Sequence, residues 1–282
     1  MLRATPGDQA TVQGLLEHGR YTYCDFGLED LPVILSRDLV LVAGRRDHPW
    51  GCIGIHLRER SHVLPTGAPD YGQLRCVAID RGRHPSRGLS DLLTGLLALI
   101  TPSTHPLRLV IYGSNSWLKL PFLNLGFEIV ERLQFYRRHN LLQSSDRAEL
   151  PPGIILRPVR STDLEALAQL DVATFDPLWH YGVAELQSLS QQGPMQIAEA
   201  NGQLLGYSAL TYSPFEAQLV RLAVHPTSQG RGVGRALLGN ALHAVRDLGI
   251  DELALNTQTS NTRSQTLYRS FGFRPTGTIA PV

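Results

Sequence analysis

The carboxyl half of the chain carries the clearer hydrophobic pattern. Residues 154–157 form a short apolar run of strand type. Thr162-Asp163 then offers an amino cap before Leu164, Leu167, Ala168 and Val172, whose spacing lays one apolar face along a helix. A shorter helix is predicted over 183–190. Residues 196–200 and 203–212 read as two strands around Asn201-Gly202, a pair that supplies the positive φ of a tight hairpin turn. The pattern then predicts a strand over 218–224, a long helix over 230–248 closed by Gly249, a strand over 251–256 and a helix over 261–271 ending at Gly272. The amino half repeats this order less cleanly, with a hairpin marked by 47–51 and a long helix by 89–100.

In places the repetition is literal. Asn261, Tyr268 and Gly272-Phe273 follow Asn115, Phe122 and Gly126-Phe127 at one constant spacing of 146 residues, without a gap. The strand-like runs 74–79 and 220–224 align at the same spacing through Arg75 and Arg221. Such agreement marks a tandem duplication. Between the copies, 140–153 is polar, shows no sustained period and ends in Pro-Pro-Gly, so the expected domains are 1–150 and 151–282. After Phe273 the chain holds two prolines and reads as a poor final strand, whereas the first copy runs from Phe127 to Tyr136 as a long alternating candidate. The first half is therefore expected to cover a sheet edge that the second cannot finish alone.

Composition narrows the classes without choosing one. With 282 residues, 43% hydrophobic and 18% charged, two globular α/β domains fit and a disordered chain does not. A net charge of +1 offers no basic surplus for a phosphate backbone, so nucleic acid is not an expected partner. The longest apolar stretch, 92–100, falls short of the roughly 20 residues that span a bilayer. The first residues also lack the apolar core of a secretory signal. No membrane partner is expected, and a cytoplasmic location is. Cys24, Cys52 and Cys76, an odd number without CxxC spacing, read as reduced thiols, and no metal site is expected.

The candidate chemistry centres on Gln229-Gly230-Arg231-Gly232-Val233-Gly234, between a strand and the long helix. Glycines at alternate positions let the backbone approach a ligand and aim N–H groups at one point on a helix amino terminus, where an anion is favoured. A glycine-rich turn that merely starts a helix is an equal reading of these residues alone. The dinucleotide fingerprint lacks its third glycine here, and the Walker loop lacks its Gly-Lys-Ser/Thr.

This loop, preceded by Leu222-Ala223-Val224-His225-Pro226 and followed by Asn261, Tyr268 and Gly272-Phe273, resembles the Gcn5-related N-acetyltransferase (GNAT) family in order and spacing over 218–273. The resemblance implies two tandem GNAT domains, each a mixed, mostly antiparallel central sheet flanked by helices. It implies acetyl-CoA as co-substrate, its pyrophosphate held by the loop from Gln229 through Gly230, Arg231, Gly232, Val233 and Gly234 to Arg235. Leu222, Ala223 and Val224 would splay from the neighbouring strand beside the pantetheine arm, with Asn261 next to it. The acetyl group would pass directly to an amine, with Tyr268 giving the departing thiolate a proton or hydrogen bond; outside the motif, this residue reads as a core tyrosine packing one helix on the sheet.

The family's strand carboxylate is missing near Val220. Glu216, two alternations earlier, is a candidate base, and a solvated strand-end carboxylate is an equal reading of it. The resemblance implies that the aromatic loop 175–182 closes over the acceptor, with Asp176 pairing a cationic amine and Trp179 walling it; aromatics that only pin the loop on the core are an equal reading of these residues. In the first copy Pro85-Ser86-Arg87-Gly88 keeps one glycine of three, and Phe122 replaces the tyrosine, so that copy reads as a degenerate GNAT domain. The expected activity is acetyl transfer to a primary amine, the partner a small molecule, and pairing of two copies stays open. The competing readings are a non-catalytic acyl-CoA-binding or regulatory protein, and an acetyltransferase acting on a protein amino terminus or lysine.

Overall fold

The computed structural model describes residues 1–282 apart from 46, 61, 63, 65, 66, 102, 114 and 144–148, and the chain divides into two units. The first comprises Met1–Arg58, Gly67–Val130 and Ala280–Val282; the second comprises Glu59–Thr66 and Glu131–Ile279.

In the first unit, strands β1 (Leu2–Arg3), β2 (Tyr21–Cys24), β3 (Leu39–Arg45), β4 (His48–Leu57), β5 (Asp70–Ile79) and β6 (Leu107–Val110) build one sheet. Its order is β1-β3-β4-β5-β2, with β6 also on β5. Helices α1 (Gln9–His18) and α2 (Leu31–Arg37) set Val12, Leu15 and Ile34 against Val40, Cys52 and Ala78 on one face. On the other, α3 (Pro85–Leu97) sets Leu89, Leu92 and Leu96 against Ile53, Leu74 and Val77, followed by α4 (Lys119–Asn124).

The edge of β5 facing away from β4 is divided between two partners. β6 pairs with it in parallel over Asp70–Gln73, and β2 pairs antiparallel over Cys76–Ile79. The backbone carbonyl of Thr22 in β2 accepts from Asn115 Nδ2 at 2.8 Å and from Trp117 Nε1 at 2.9 Å.

In the second unit the sheet order is β13-β7-β12-β11-β10-β9-β8, from β7 (Arg132–Arg138), β8 (Ile155–Pro158), β9 (Met195–Ala200), β10 (Gln203–Tyr212), β11 (Ala217–Val224), β12 (Leu253–Gln258) and β13 (Arg274–Pro281). The β11–β12 pair is parallel, while β8–β9, β9–β10, β10–β11 and β12–β7 are antiparallel, which gives the mixed, mostly antiparallel sheet expected. Helices α5 (Leu164–Thr174) and α6 (Val183–Gln192) bury Leu167, Leu186 and Leu189 against Ile197, Tyr207 and Ala223. On the opposite face, α7 (Val233–Asp247) buries Leu238, Leu242 and Val245 with Leu219, Leu253 and Leu255, beside α8 (Thr262–Ser270). The hairpin turn is as read, with Asn201 at φ 51° and Gly202 at φ 75°.

Three expectations are corrected. Packing divides the chain near 130 rather than 150, because β7 pairs with β12 from Leu133↔Gln258 to Arg138↔Leu253. Residues 144–148 of the expected linker lie outside the described residues. The strand candidate from Phe127 is regular only from Arg132. The last stretch is a strand after all. β13 lies at the sheet edge, where prolines such as Pro275 and Pro281 are tolerated because one row of backbone groups needs no partner. The final residues belong to the first unit, where Val130 N donates to Val282 O and Gly113 N to Pro281 O, each at 2.9 Å.

Among the described residues no helix is long and apolar enough to cross a membrane, and no group of three or more metal-ligating side chains is placed to hold an ion.

Candidate active site

The site grows from an irregularity in β11. Its register with β10 slips between Ala209 and Leu210, which leaves Val220 as an extra residue. The bulge turns Arg221 and Ala223 toward α5 and α6, while Leu222 and Val224 face α7. Pairing with β12 is confined to Ala217–Leu219. Beyond that point β11 and β12 part, as the splay expected at Leu222 to Val224 requires, and no strand among the described residues fills the gap. In the first unit β2 fills the corresponding gap beside β5. The bulge there falls between Gly54 and Ile55, which makes Cys76, not Arg75, the register counterpart of Arg221. The constant spacing slips by one residue within this strand.

The glycine loop follows. Gly230 and Gly232 take φ values of 81° and 85°, in the left-handed region that L side chains avoid. Gly232 is the amino cap of α7, so the predicted helix starts at Val233 rather than 230. Gly234 lies inside the first helical turn and needs only space: a Cβ there would meet Leu267 and Val224 at 3.5 Å. The amides of that turn have no intrahelical acceptor. Gln229 braces the loop, its Nε2 donating to Val224 O at 3.1 Å and its Oε1 accepting from Arg263.

A cavity of about 480 Å³ gathers most of the expected residues. Leu222, Val224, Gln229, Gly230, Gly232, Gly234, Arg235 and Asn261 line it from the strand, loop and helix side, and Asp176 and Trp179 line it from the loop after α5. Five members of the expected set stand back from it. Ala223 and Val233 are buried on the core side, and Arg231 is exposed. Tyr268 is only 6% exposed and packs its ring at 6.2 Å from Tyr136 and 6.0 Å from Phe273. Its hydroxyl bonds to the side chain of Ser264, which does line the cavity. Burial pushes the Tyr268 phenol up to about 12, against the opposing pull of the Ser264 bond and the Arg221 charge. Glu216 precedes β11 on a turn, is 57% exposed and lies 3.9 Å from Arg137, outside the cavity lining. Asn261 serves partly as a helix cap, its Oδ1 accepting from Ser264 N at 3.0 Å.

Two groups of residues escaped the sequence reading. Glu131, next to β7, lines the cavity and accepts from Ser260 Oγ at 2.6 Å and Arg132 N at 2.8 Å. Its only sequence signal was membership of the segment expected to cover a sheet edge. Asp171 and Arg221 form a buried ion pair behind the aromatic loop, with the Tyr207 hydroxyl donating to Asp171. Asp171 on the apolar face of α5, one residue before Val172, was the available sign.

The profile of the Acetyltransferase (GNAT) family matches residues 164–273. The N-alpha-acetyltransferase RimI of Mycobacterium tuberculosis is 31% identical over 121 residues, covering 41% of this chain and 75% of that protein. A mycothiol acetyltransferase of Thermobispora bispora is 28% identical over 96% of this chain and 94% of its own length. Among solved structures, a tandem GNAT protein from the clavulanic acid biosynthesis pathway shares the fold with a TM-score of 0.66 and 14% identity, over 100% of this chain and 96% of that one. The splayed strand, the glycine-capped helix and these matches together place the chain in the GNAT acetyltransferase family, as a tandem member.

Proposed function

We propose that the second unit transfers the acetyl group of acetyl-CoA to the primary amine of a small molecule. The observation that carries this reading is that the glycine cradle and the acceptor loop line one cavity of about 480 Å³. That volume sits low in the range of roughly 300–1,000 Å³ typical of small-molecule sites. A relative matched over 94% of its own length is named for mycothiol, while relatives matched over less than half of this chain include enzymes named for a ribosomal-protein alanine.

Acetyltransferases of this family use acetyl-CoA, which supplies the acetyl group as a thioester. The residues present fit it. Two left-handed glycines and the amides of the first turn of α7 offer an anion cradle, with Arg235 and Arg263 on the same wall. The edge of β11 beyond Leu219 offers backbone groups to an amide-bearing arm. Asp176 and Glu131 present carboxylates to a cationic amine, and either can take the proton that an ammonium group must lose before attack. Tyr268, with its phenol raised to about 12, stays protonated across neutral pH and donates toward the departing sulfur, by way of Ser264 or after displacing it. Glu216 has no part in this arrangement.

A thiol-release assay with acetyl-CoA against amines, amino acids, polyamines, amino sugars and peptides with a free amino-terminal alanine tests the proposal. Turnover with a small amine and none with peptides is expected. Preference for the peptides would replace the small-molecule reading, and acetyl-CoA binding without turnover on any acceptor would favour the non-catalytic one.

A further inference from the structure

The acceptor loop hangs on one guanidinium. Arg221 Nη2 donates to the backbone carbonyl of Trp179 at 2.6 Å, and its Nε donates to Asp171 Oδ2 at 2.9 Å. The rings of Phe175 and Tyr181 lie 3.6 Å and 4.3 Å from its central carbon. Asp171 closes the arrangement by accepting from Tyr181 N at 2.6 Å and from the Tyr207 hydroxyl. Both ends of the loop and its middle are thus fixed to a single ion pair. Arg221 is 8% exposed and Asp171 is fully buried. Arg221 also belongs to β11, next to Leu222, so the strand that walls the cofactor side carries the anchor of the acceptor side.

We infer that Arg221 is a positioning residue that holds Trp179 and Asp176 in place for the acceptor amine, tying their geometry to the strand that borders the cofactor. This rests on the proposed acceptor role of that loop. Arginine suits the task because its planar fork bonds the carboxylate and the carbonyl at once while its faces stack on rings, which a lysine cannot reproduce. The first unit has Cys76 at the matching register position.

Removing one partner of a buried ion pair destabilises a protein, whereas replacing both with apolar residues of similar volume is often neutral. The test therefore compares Arg221→Lys, Arg221→Met and the pair Asp171→Leu/Arg221→Met in the full chain, with Trp50 and Trp117 changed to Phe so that Trp179 alone emits. The expected result is a tenfold or larger rise in the acceptor KM, with kcat at saturating acceptor and acetyl-CoA affinity within about threefold of the parent. Acrylamide should quench Trp179 at least twice as efficiently as in the parent. The pair variant should melt above Arg221→Met, though below the parent because Tyr207 and Tyr181 N lose their acceptor, without regaining the KM or the quenching. A pair variant with parental KM and quenching would show that Arg221 is only structural, and unchanged Arg221→Met values would overturn the inference outright. If no amine serves as acceptor, the acceptor reading fails by itself. Trp179 quenching then still decides whether Arg221 anchors the loop, and parental quenching would sink that too.

Discussion

Gly234 separates space from conformation more cleanly than its neighbours do. Its backbone is ordinary helix, and the methyl of Gly234→Ala would touch Leu267 Cδ2 and Val224 Cγ2 at 3.5 Å, a normal van der Waals contact. The fold should therefore tolerate the change, and glycine-to-alanine inside a helix gains about 0.5–1 kcal/mol. Both neighbours line the cavity, however, so the methyl occupies room that a phosphate needs to come within about 3 Å of an amide nitrogen. Losing one hydrogen bond to a charged group costs about 1.5–3 kcal/mol, or roughly a ten- to hundredfold drop in acetyl-CoA affinity. Gly234→Val should lose more. Gly232→Ala behaves differently, because φ is 85° and the new Cβ would stand 2.9 Å from Pro151 Cγ. It adds about 1–2 kcal/mol of left-handed strain, so stability and affinity should fall together. Calorimetric titration with acetyl-CoA, alongside thermal unfolding, reads both quantities. A folded Gly234→Val protein with unchanged affinity would refute the pyrophosphate assignment.

Tyr268→Phe should lower turnover by roughly 10²–10⁴ with acetyl-CoA affinity nearly unchanged. Because burial holds the phenol near 12, rate against pH should show no descending limb from Tyr268 below about pH 10; wild-type turnover in a chemistry-limited assay would remove it from the mechanism. Residues 151–282 expressed alone lack β7 and expose the β12 edge, so they should be far less soluble than 131–282 as judged by sedimentation, and equal solubility would contradict the edge argument. The full chain should bind one equivalent of acetyl-CoA by calorimetry; two equivalent sites would overturn the division of labour between the units. Arg157 donates to Asp163 at 2.7 and 2.9 Å and holds its carboxyl below the ordinary range. That stabilisation is complete above a pH of about 4 and is lost as pH falls through the lowered value. Asp163→Asn should therefore cost up to about 1 kcal/mol in denaturant unfolding at pH 7 and progressively less as pH falls below about 4, with a pH-independent difference as the refuting result.

The parts of the fold and site that the sequence showed are those set by local chemistry. The glycine loop at 230–234 and the Asn-Gly turn at 201 each depend on a few adjacent residues, and each reads directly from the chain. The parts it hid depend on pairing. Two prolines in β13 argued against a strand because the sequence does not say that this strand lies at an edge. Strand alternation placed Glu216 in line with Val220, but the bulge at Val220 breaks the alternation, and Glu216 lies outside the strand. Asp171 and Arg221 are fifty residues apart, and neither neighbourhood signals an ion pair until α5 and β11 are packed together. Tyr268 owed its role to the family resemblance, and the residue type alone also allowed a core tyrosine; the structure puts its ring in the core, with Ser264 between its hydroxyl and the cavity.

Duplication gave both halves the same parting of two parallel strands, and a parted sheet leaves a row of backbone donors and acceptors that needs a partner. The two copies meet that need differently. In the second unit the edge of β11 beyond Leu219 borders a cavity capped by left-handed glycines. In the first, β2 pairs along Cys76–Ile79, and Asn115, the counterpart of Asn261, donates to the backbone of Thr22 within that strand. A polypeptide segment thus stands where an amide-bearing arm would lie, and a buried strand pairing is satisfied without any ligand. This makes the substitutions at Pro85 and Phe122 intelligible as a consequence as well as a cause. With β2 in the gap, an anion cradle or a phenol in this copy would have nothing to act on. Pro85 became tolerable at the first position of α3, where no N–H is required, and Phe122 became a packing residue edge-on to Phe127 at 4.8 Å. Restoring the glycines and the tyrosine to the first copy would therefore leave it closed, because the obstruction is a strand of its own sheet rather than the loss of side chains.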